Sequence, residues 1–100
     1  MPTKFCGRAV VAAASGYTQV DTIKGTCTVI FSNQTNNTVN IVTNAASAAA
    51  AAALETAGTY MQMPANTAAV YSVDCDPSTT WVKWGGTTVG SNVHAFIIQW

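Results

Sequence analysis

The chain has 100 residues, of which four are basic and four acidic, so its formal net charge at neutral pH is zero. Charged residues make up 8% of the chain, against about 25% in a typical soluble domain. The apolar content of 49% excludes an intrinsically disordered chain. Direct nucleic-acid binding needs clustered cations, and the basic residues are scattered: Lys4, Arg8, Lys24 and Lys83.

The length predicts a single domain, residues 1–100. The choice of apolar residues favours β structure. There are eleven Val and five Ile but only one Leu, together with fifteen Thr. β-branched side chains are restricted at χ1 and suit a pleated sheet, whereas Leu favours helices. We therefore expect a mainly β protein, an antiparallel β-sandwich or jelly roll of about 7–8 strands.

Turn signals recur at short intervals, as in sandwiches and barrels. They are Ser15-Gly16, Lys24-Gly25, the Asn-rich segment 33–37, residues 64–67, Asp76-Pro77-Ser78 and Gly85-Gly86. The strands that they delimit are predicted near residues 4–14, 18–23, 26–32, 37–43, 59–63, 68–74, 79–84 and 92–100.

The first predicted strand has a loose likeness to a secretory signal peptide. Lys4 and Arg8 precede an apolar stretch from Ala9 to Ser15. This stretch is at the lower limit of the roughly 7–15 residues of a signal peptide and contains no Leu or Phe. We therefore prefer a strand.

An Ala-rich tract between Asn44 and Gly58 interrupts the strands. Ala has the highest helix propensity, Asn44 is a good N-cap and Gly58 a good terminator, so the tract predicts a helix over 45–56. A helix this short is marginal in water and must pack on something. The alternative is a partly ordered low-complexity loop. About ten apolar residues are too few for a membrane span, which needs about 20.

Several predicted strands are apolar on both faces. In an antiparallel sheet with one wet face, polar and apolar residues should alternate. In the last strand one face carries His94, Phe96, Ile98 and Trp100, and the other carries Val93, Ala95, Ile97 and Gln99. Either the helix covers one sheet, or an outer face meets another subunit, and both are possible at once.

The three cysteines are an odd number, and we interpret Cys6, Cys27 and Cys75 as reduced thiols in or near the core. That favours folding in a reducing compartment. Together with His94 they could hold zinc or form a Cys–His pair, but no two lie at the close spacing of structural zinc sites. Asp74 and Asp76 are too few ligands for calcium. We predict no catalytic, cofactor or metal site and no enzymatic activity.

Interface contacts are the better prediction for the large apolar side chains, because aromatic residues are enriched at the centres of interfaces. Ordinary core packing is the alternative for each of them. The candidates are Trp81, Trp84, Phe96, Ile98, Trp100 and Tyr60.

One segment resembles a known family. Residues 58–73, with Pro-Ala-Asn-Thr at 64–67, follow the strand at 39–43. They resemble the strand–"PANT" turn–strand pattern of small β-sandwich or jelly-roll virion proteins of tailed bacteriophages. The resemblance implies a structural subunit, such as a capsid decoration, collar, ring or fibre protein, assembled in the host cytoplasm without an active site. Its partners would be copies of itself and other virion proteins, with no small-molecule substrate.

Two other functions remain open. A secreted or cell-surface carbohydrate-binding or adhesive module would stack Trp81, Trp84 or Tyr60 on sugar rings. A small hydrolase would need a cleft that joins His94 to a carboxylate or thiol.

Overall fold

The computed structural model describes residues 4–11, 16–33, 38–64, 70–84 and 93–99, with the backbone alone for residues 4–11, 84, 93 and 99. The strands are β1 (Lys4–Val11), β2 (Thr18–Gln19), β3 (Cys27–Ser32), β4 (Val39–Val42), β5 (Met61–Met63), β6 (Val70–Cys75), β7 (Trp81–Trp84) and β8 (Val93–Gln99). The helix α1 (Ala48–Thr56) lies between β4 and β5, and a 3-10 helix (Pro77–Thr79) lies between β6 and β7.

The eight strands form two four-stranded antiparallel sheets. The first sheet has the order β1-β8-β3-β6 and the second sheet has the order β2-β7-β4-β5. Strands β1 to β4 thus pair with β8 to β5 as one long ribbon, which folds over so that β8 also pairs with β3 and β7 with β4. This is the order of a jelly roll. The predicted fold class is confirmed, and each predicted strand has a counterpart within a few residues.

The core lies between the two sheets. In β3 the side chains alternate between buried and half-buried positions, and Cys27, Val29 and Phe31 point inward. They meet Ile41 and Val82 of the second sheet. The full set of buried apolar residues in this core is Val20, Cys27, Val29, Phe31, Val39, Ile41, Met63, Cys75, Val82, Ala95 and Ile97.

The second predicted strand is shorter than expected, because only Thr18–Gln19 pairs with β7. Beyond it, the amide of Asp21 donates to the carbonyl of Pro77 instead of continuing the ladder. Two predicted turns are present: Lys24-Gly25, before β3, and Asp76-Pro77-Ser78, after β6. Gly25 has φ +96, and the Asp76 carboxylate accepts from the Ser78 amide at 2.9 Å. Of the predicted turns, Ser15, residues 34–37, residues 65–67 and Gly85-Gly86 lie outside the described residues, as does Trp100.

The helix forms within the Ala tract, and its start corrects the prediction. Asn44 is not the N-cap, because it adopts a left-handed conformation with φ 60 at the end of β4. Ser47 caps the helix instead, with its hydroxyl accepting from the Ala50 amide at 3.2 Å. Gly58, with φ +84, ends the helix as expected. Its amide donates to the Glu55 carbonyl and the next amide donates to the Leu54 carbonyl, which is the Schellman arrangement.

Candidate interaction surfaces

The helix covers the outer face of the second sheet. Ala51 and Val42 are almost completely buried against each other, and Leu54 and Trp81 pack around them. Trp81 also donates its indole N–H to the Ala45 carbonyl at 2.8 Å. Because Ala has no bulk beyond Cβ, the helix lies close to the strands.

A polar cluster ties the helix to this sheet. The Glu55 carboxylate accepts hydrogen bonds from Tyr17 Oη at 2.8 Å and Asn40 Nδ2 at 2.6 Å. Lys83 Nζ lies 2.6 Å from Glu55 Oε1 and 5.0 Å from the centroid of the Tyr17 ring. Gln62 extends the cluster by donating to Asn40 Oδ1 at 3.2 Å. We call Glu55, Lys83, Tyr17 and Asn40 the Glu55 cluster.

The electrostatics follow from these contacts. The hydrogen bond from Lys83 lowers the pKa of Glu55 below its ordinary value, against the opposing effect of burial. Burial, together with the neighbouring Glu55 carboxylate, raises the pKa of Tyr17. At neutral pH the cluster therefore contains a paired carboxylate and a neutral phenol, and it fastens α1 across the strands.

Sequence reasoning missed the Glu55 cluster. Its members come from an irregular segment, β4, α1 and β7, and no spacing rule connects them. One signal was visible: Asn40 and Lys83 are polar residues within otherwise apolar strands. Such residues need a partner when they are covered.

The outer face of the first sheet, unlike that of the second, has no α-helix packed on it among the described residues. Its register aligns three cross-strand rows on β6, β3 and β8, which are Val70-Ser32-His94, Ser72-Ile30-Phe96 and Asp74-Thr28-Ile98. Ile30, Phe96 and Ile98 are half-buried, and Val70 is 62% exposed. Among the described residues α1 is the single α-helix, and it lies on the other sheet.

Two of the cysteines that could bind zinc or form a Cys–His pair do not come together with the histidine, because they lie on the opposite face of the first sheet. Cys27 and Cys75 point into the core, whereas His94 lies on the outer face and its Nδ1 has no hydrogen-bond partner among the described residues. Asp74 accepts from the Thr28 hydroxyl at 2.8 Å. The Asp76 carboxylate accepts from the Ser78 hydroxyl at 2.6 Å, and this bond lowers its pKa. Within the described ranges no three His, Cys, Asp or Glu side chains gather as metal ligands do.

A groove of about 510 Å³ opens between the edges of the two sheets, at β5 and β6. Ile41, Met61 and Val73 line the groove together with Tyr60, which is 42% exposed. Thr43 and Thr59 add hydroxyl groups to the lining.

The predicted interface residues are thus distributed over three places. Phe96 and Ile98 lie on the outer face of the first sheet, Tyr60 lies at the groove and Trp81 lies beneath the helix. The Trp84 side chain and Trp100 lie outside the described residues. For all six residues, a role in contacts between molecules stays a prediction.

Comparison with models of known protein families, with curated proteins and with solved structures found no match to this chain. The resemblance to virion proteins of tailed bacteriophages therefore stays a prediction. Within the described ranges, no helix has the length and apolar character required to cross a bilayer.

Proposed function

We propose that this protein is a non-enzymatic structural subunit of a viral particle, and that it associates with copies of itself through the outer face of the first sheet. The observation that carries the proposal is the contrast between the two outer faces. The second sheet is covered by the chain's own helix, whereas half-buried Ile30, Phe96 and Ile98 lie on the first.

The composition of the first sheet's outer face supports a contact with a second copy. Its central row pairs Ile30 with Phe96, and the neighbouring positions are mostly neutral, including Thr28, Ser32 and Ser72. Two sheets can pack face to face through such side chains, as they do inside a sandwich. Asp74 is an acid on this face, at its margin on the edge strand, so few like charges would meet when two copies approach.

Two further considerations favour a role in a particle. Jelly rolls form many viral capsid domains, although a fold alone does not specify a function. The low overall charge favours interfaces between repeated copies, because a net charge far from zero normally keeps proteins monomeric. The Pro-Ala-Asn-Thr resemblance adds the tailed-phage virion as the specific setting.

The test compares self-association of two charge-adding variants by light scattering across a range of concentrations. Val70→Asp places a carboxylate on the outer face of the first sheet at a side chain that is already 62% exposed, so the fold should survive. We expect the wild type to be an oligomer and the substitution to weaken association by about tenfold or more. Ala49→Asp adds the same charge at an exposed position in the first turn of α1, where a carboxylate suits the helix dipole, and should leave association unchanged.

A wild type that remains monomeric and fails to bind particle components would contradict the proposal. If Val70→Asp and Ala49→Asp associate equally strongly, the outer face of the first sheet is not the contact between copies. Circular dichroism of each variant separates loss of association from loss of fold.

A carbohydrate-binding module is the second candidate, favoured by the groove at β5 and β6. The exposed Tyr60 ring beside the hydroxyls of Thr43 and Thr59 combines an aromatic surface with hydrogen-bonding groups, and lectin domains also use jelly rolls. Titration with oligosaccharides would then show binding that Tyr60→Ala abolishes and Val70→Asp retains. Absence of binding across a broad glycan set would eliminate this candidate.

A further inference from the structure

Cys27 and Cys75 face each other across two adjacent strands. Cys27 is the first residue of β3 and Cys75 the last of β6, and the antiparallel register pairs them directly. Both side chains point into the core, with exposures of 0% and 7%. Both are thiols in this structure, and Cys27 Sγ donates to the Gly25 carbonyl at 3.5 Å.

The spacing of such a pair suits a disulfide. Directly opposed residues of antiparallel strands have Cα atoms about 4.5–5.5 Å apart, within the roughly 4.4–6.8 Å that disulfides span. The Cβ atoms of opposed residues lie about 4.5–5.5 Å apart, and a disulfide needs about 3.5–4.5 Å. Closure therefore requires a small local approach of the two strands.

The position at the end of both strands makes that approach possible. The β3–β6 ladder stops at this pair, so neither strand continues its pairing beyond it. On one side the chain turns through Gly25, whose φ is +96 and whose Cβ position would meet nothing within 4 Å. On the other side it turns at Asp76, whose carboxylate accepts from the Gly25 amide at 3.2 Å.

We propose that Cys27 and Cys75 form an intramolecular disulfide, and that this bond locks β3 to β6, when the folded protein meets a disulfide oxidant of the glutathione type. One protein thiolate attacks a sulfur of the oxidant, forming a mixed disulfide and releasing one thiolate. The second protein thiolate then attacks the protein sulfur of the mixed disulfide and releases the other. Two protein thiols lose two protons and two electrons, and one oxidant becomes two small thiols.

The environment of the pair sets the rate of this reaction. The thiolate is the attacking form, and burial raises the pKa of the Cys75 thiol. Because the two cysteines are only 0% and 7% exposed, the oxidant must also wait for this end of the ladder to open. Closure should therefore be slow near neutral pH and faster as the pH rises. A protein folded in a reducing compartment would keep both thiols and acquire the bond after leaving it.

The bond would close a loop from residue 27 to residue 75, which contains β4, α1 and β5. Cross-linking a long loop stabilises the fold mainly by restricting the unfolded chain. We expect the melting temperature to rise by about 10 °C or more. Reduction should reverse the rise.

The experiment treats the reduced, folded protein with oxidised glutathione, alkylates the remaining thiols and maps the peptides by mass spectrometry. The expected result is a linked pair of peptides carrying Cys27 and Cys75, with the higher melting temperature. Cys6→Ser should keep the bond and the shift, and Cys75→Ser should lose both.

Alkylation of both thiols after oxidation, a bond to Cys6 or a disulfide between chains would each overturn the proposal. A mapped Cys27–Cys75 bond without a rise in melting temperature would contradict the claim that the bond stabilises the pairing of β3 with β6. If Cys75→Ser does not fold, the peptide map of the wild type still decides. A bond within one chain requires no self-association, so failure of this proposal and failure of the proposed function can be told apart.

Discussion

Glu55 is the acceptor on which three side chains from three other segments converge. Tyr17, Asn40 and Lys83 each place a donor within 2.8 Å of its carboxylate. Hydrogen bonds to a charged group contribute more than neutral ones, and donors left without an acceptor in a covered site cost free energy. Removing this carboxylate should therefore loosen α1 from the strands.

We expect Glu55→Ala to lower the free energy of unfolding by about 1–3 kcal/mol, because it leaves three partly buried donors without their acceptor. Glu55→Gln should cost less, because its amide oxygen still accepts. Thr56→Ala, an exposed neighbour on the same helix, should stay within about 0.5 kcal/mol of the wild type. Urea denaturation measures all three, and equal midpoints for Glu55→Ala and Thr56→Ala would contradict the role given to the cluster.

The contribution of Glu55 should depend on pH. Its pKa in the folded protein lies below the ordinary value of 4.5, so its stabilisation is complete above that pH and is lost as the pH falls through the lowered value. The difference in urea midpoint between wild type and Glu55→Gln should therefore shrink in acid. Tyr17 acts in the opposite sense: its pKa is raised from 10.0, so stability should fall as the pH rises above that value.

At the scale of elements, α1 is a helix whose contact depends on small side chains. Ala51 has no exposed surface and lies against Val42 of β4. A larger side chain there must push the helix away from the sheet or distort its neighbours. Ala52, one position along, is exposed and is free of this constraint.

Ala51→Leu should destabilise the protein by about 1–3 kcal/mol through overpacking, while Ala52→Leu should be nearly neutral. Thermal melting of the pair gives the comparison, with the same residue type introduced at adjacent positions. If both variants melt alike, the helix does not rest on the second sheet through Ala51.

The elements show where sequence reasoning succeeds. β-branched residues and turn signals predicted eight strands, and Gly58 predicted the end of the helix. The N-cap was wrong because Asn44 and Ser47 both suit the position, and Asn44 instead takes the left-handed conformation that turns the chain out of β4. The face on which α1 packs had no signal, because Ala occupies nearly every side of the helix.

At the scale of the whole molecule, the jelly roll pairs the first strand with the last. The sequence predicted this class from its β-branched residues and closely spaced turn signals. It did not predict which sheet α1 covers. The contacts that place the helix include the Glu55 cluster, whose members are up to 66 positions apart, from Tyr17 to Lys83. In the part of the chain that the structure describes, no α-helix lies on the outer face of the first sheet, where Ile30, Phe96 and Ile98 are half-buried.

Folding should be slow for a protein of this size. The pairing of β1 with β8 joins residues at opposite ends of the chain, such as Lys4 with Gln99, and non-local pairing slows folding to the range of about milliseconds to seconds. Stopped-flow tryptophan fluorescence measures the rate. Completion within about ten microseconds, as in small helical bundles, would contradict this expectation.

The pairing of Lys4 with Gln99 also gives the molecule a direction of mechanical weakness. These two residues lie side by side at one end of the β1–β8 ladder, whereas Val11 and Val93 lie at the other. A force that draws residues 4 and 99 apart acts across the strands and opens the ladder one pair at a time. A force between residues 11 and 99 acts along the strands and loads all the pairs together. Attachment points at residues 11 and 99 should therefore withstand more force than attachment points at residues 4 and 99.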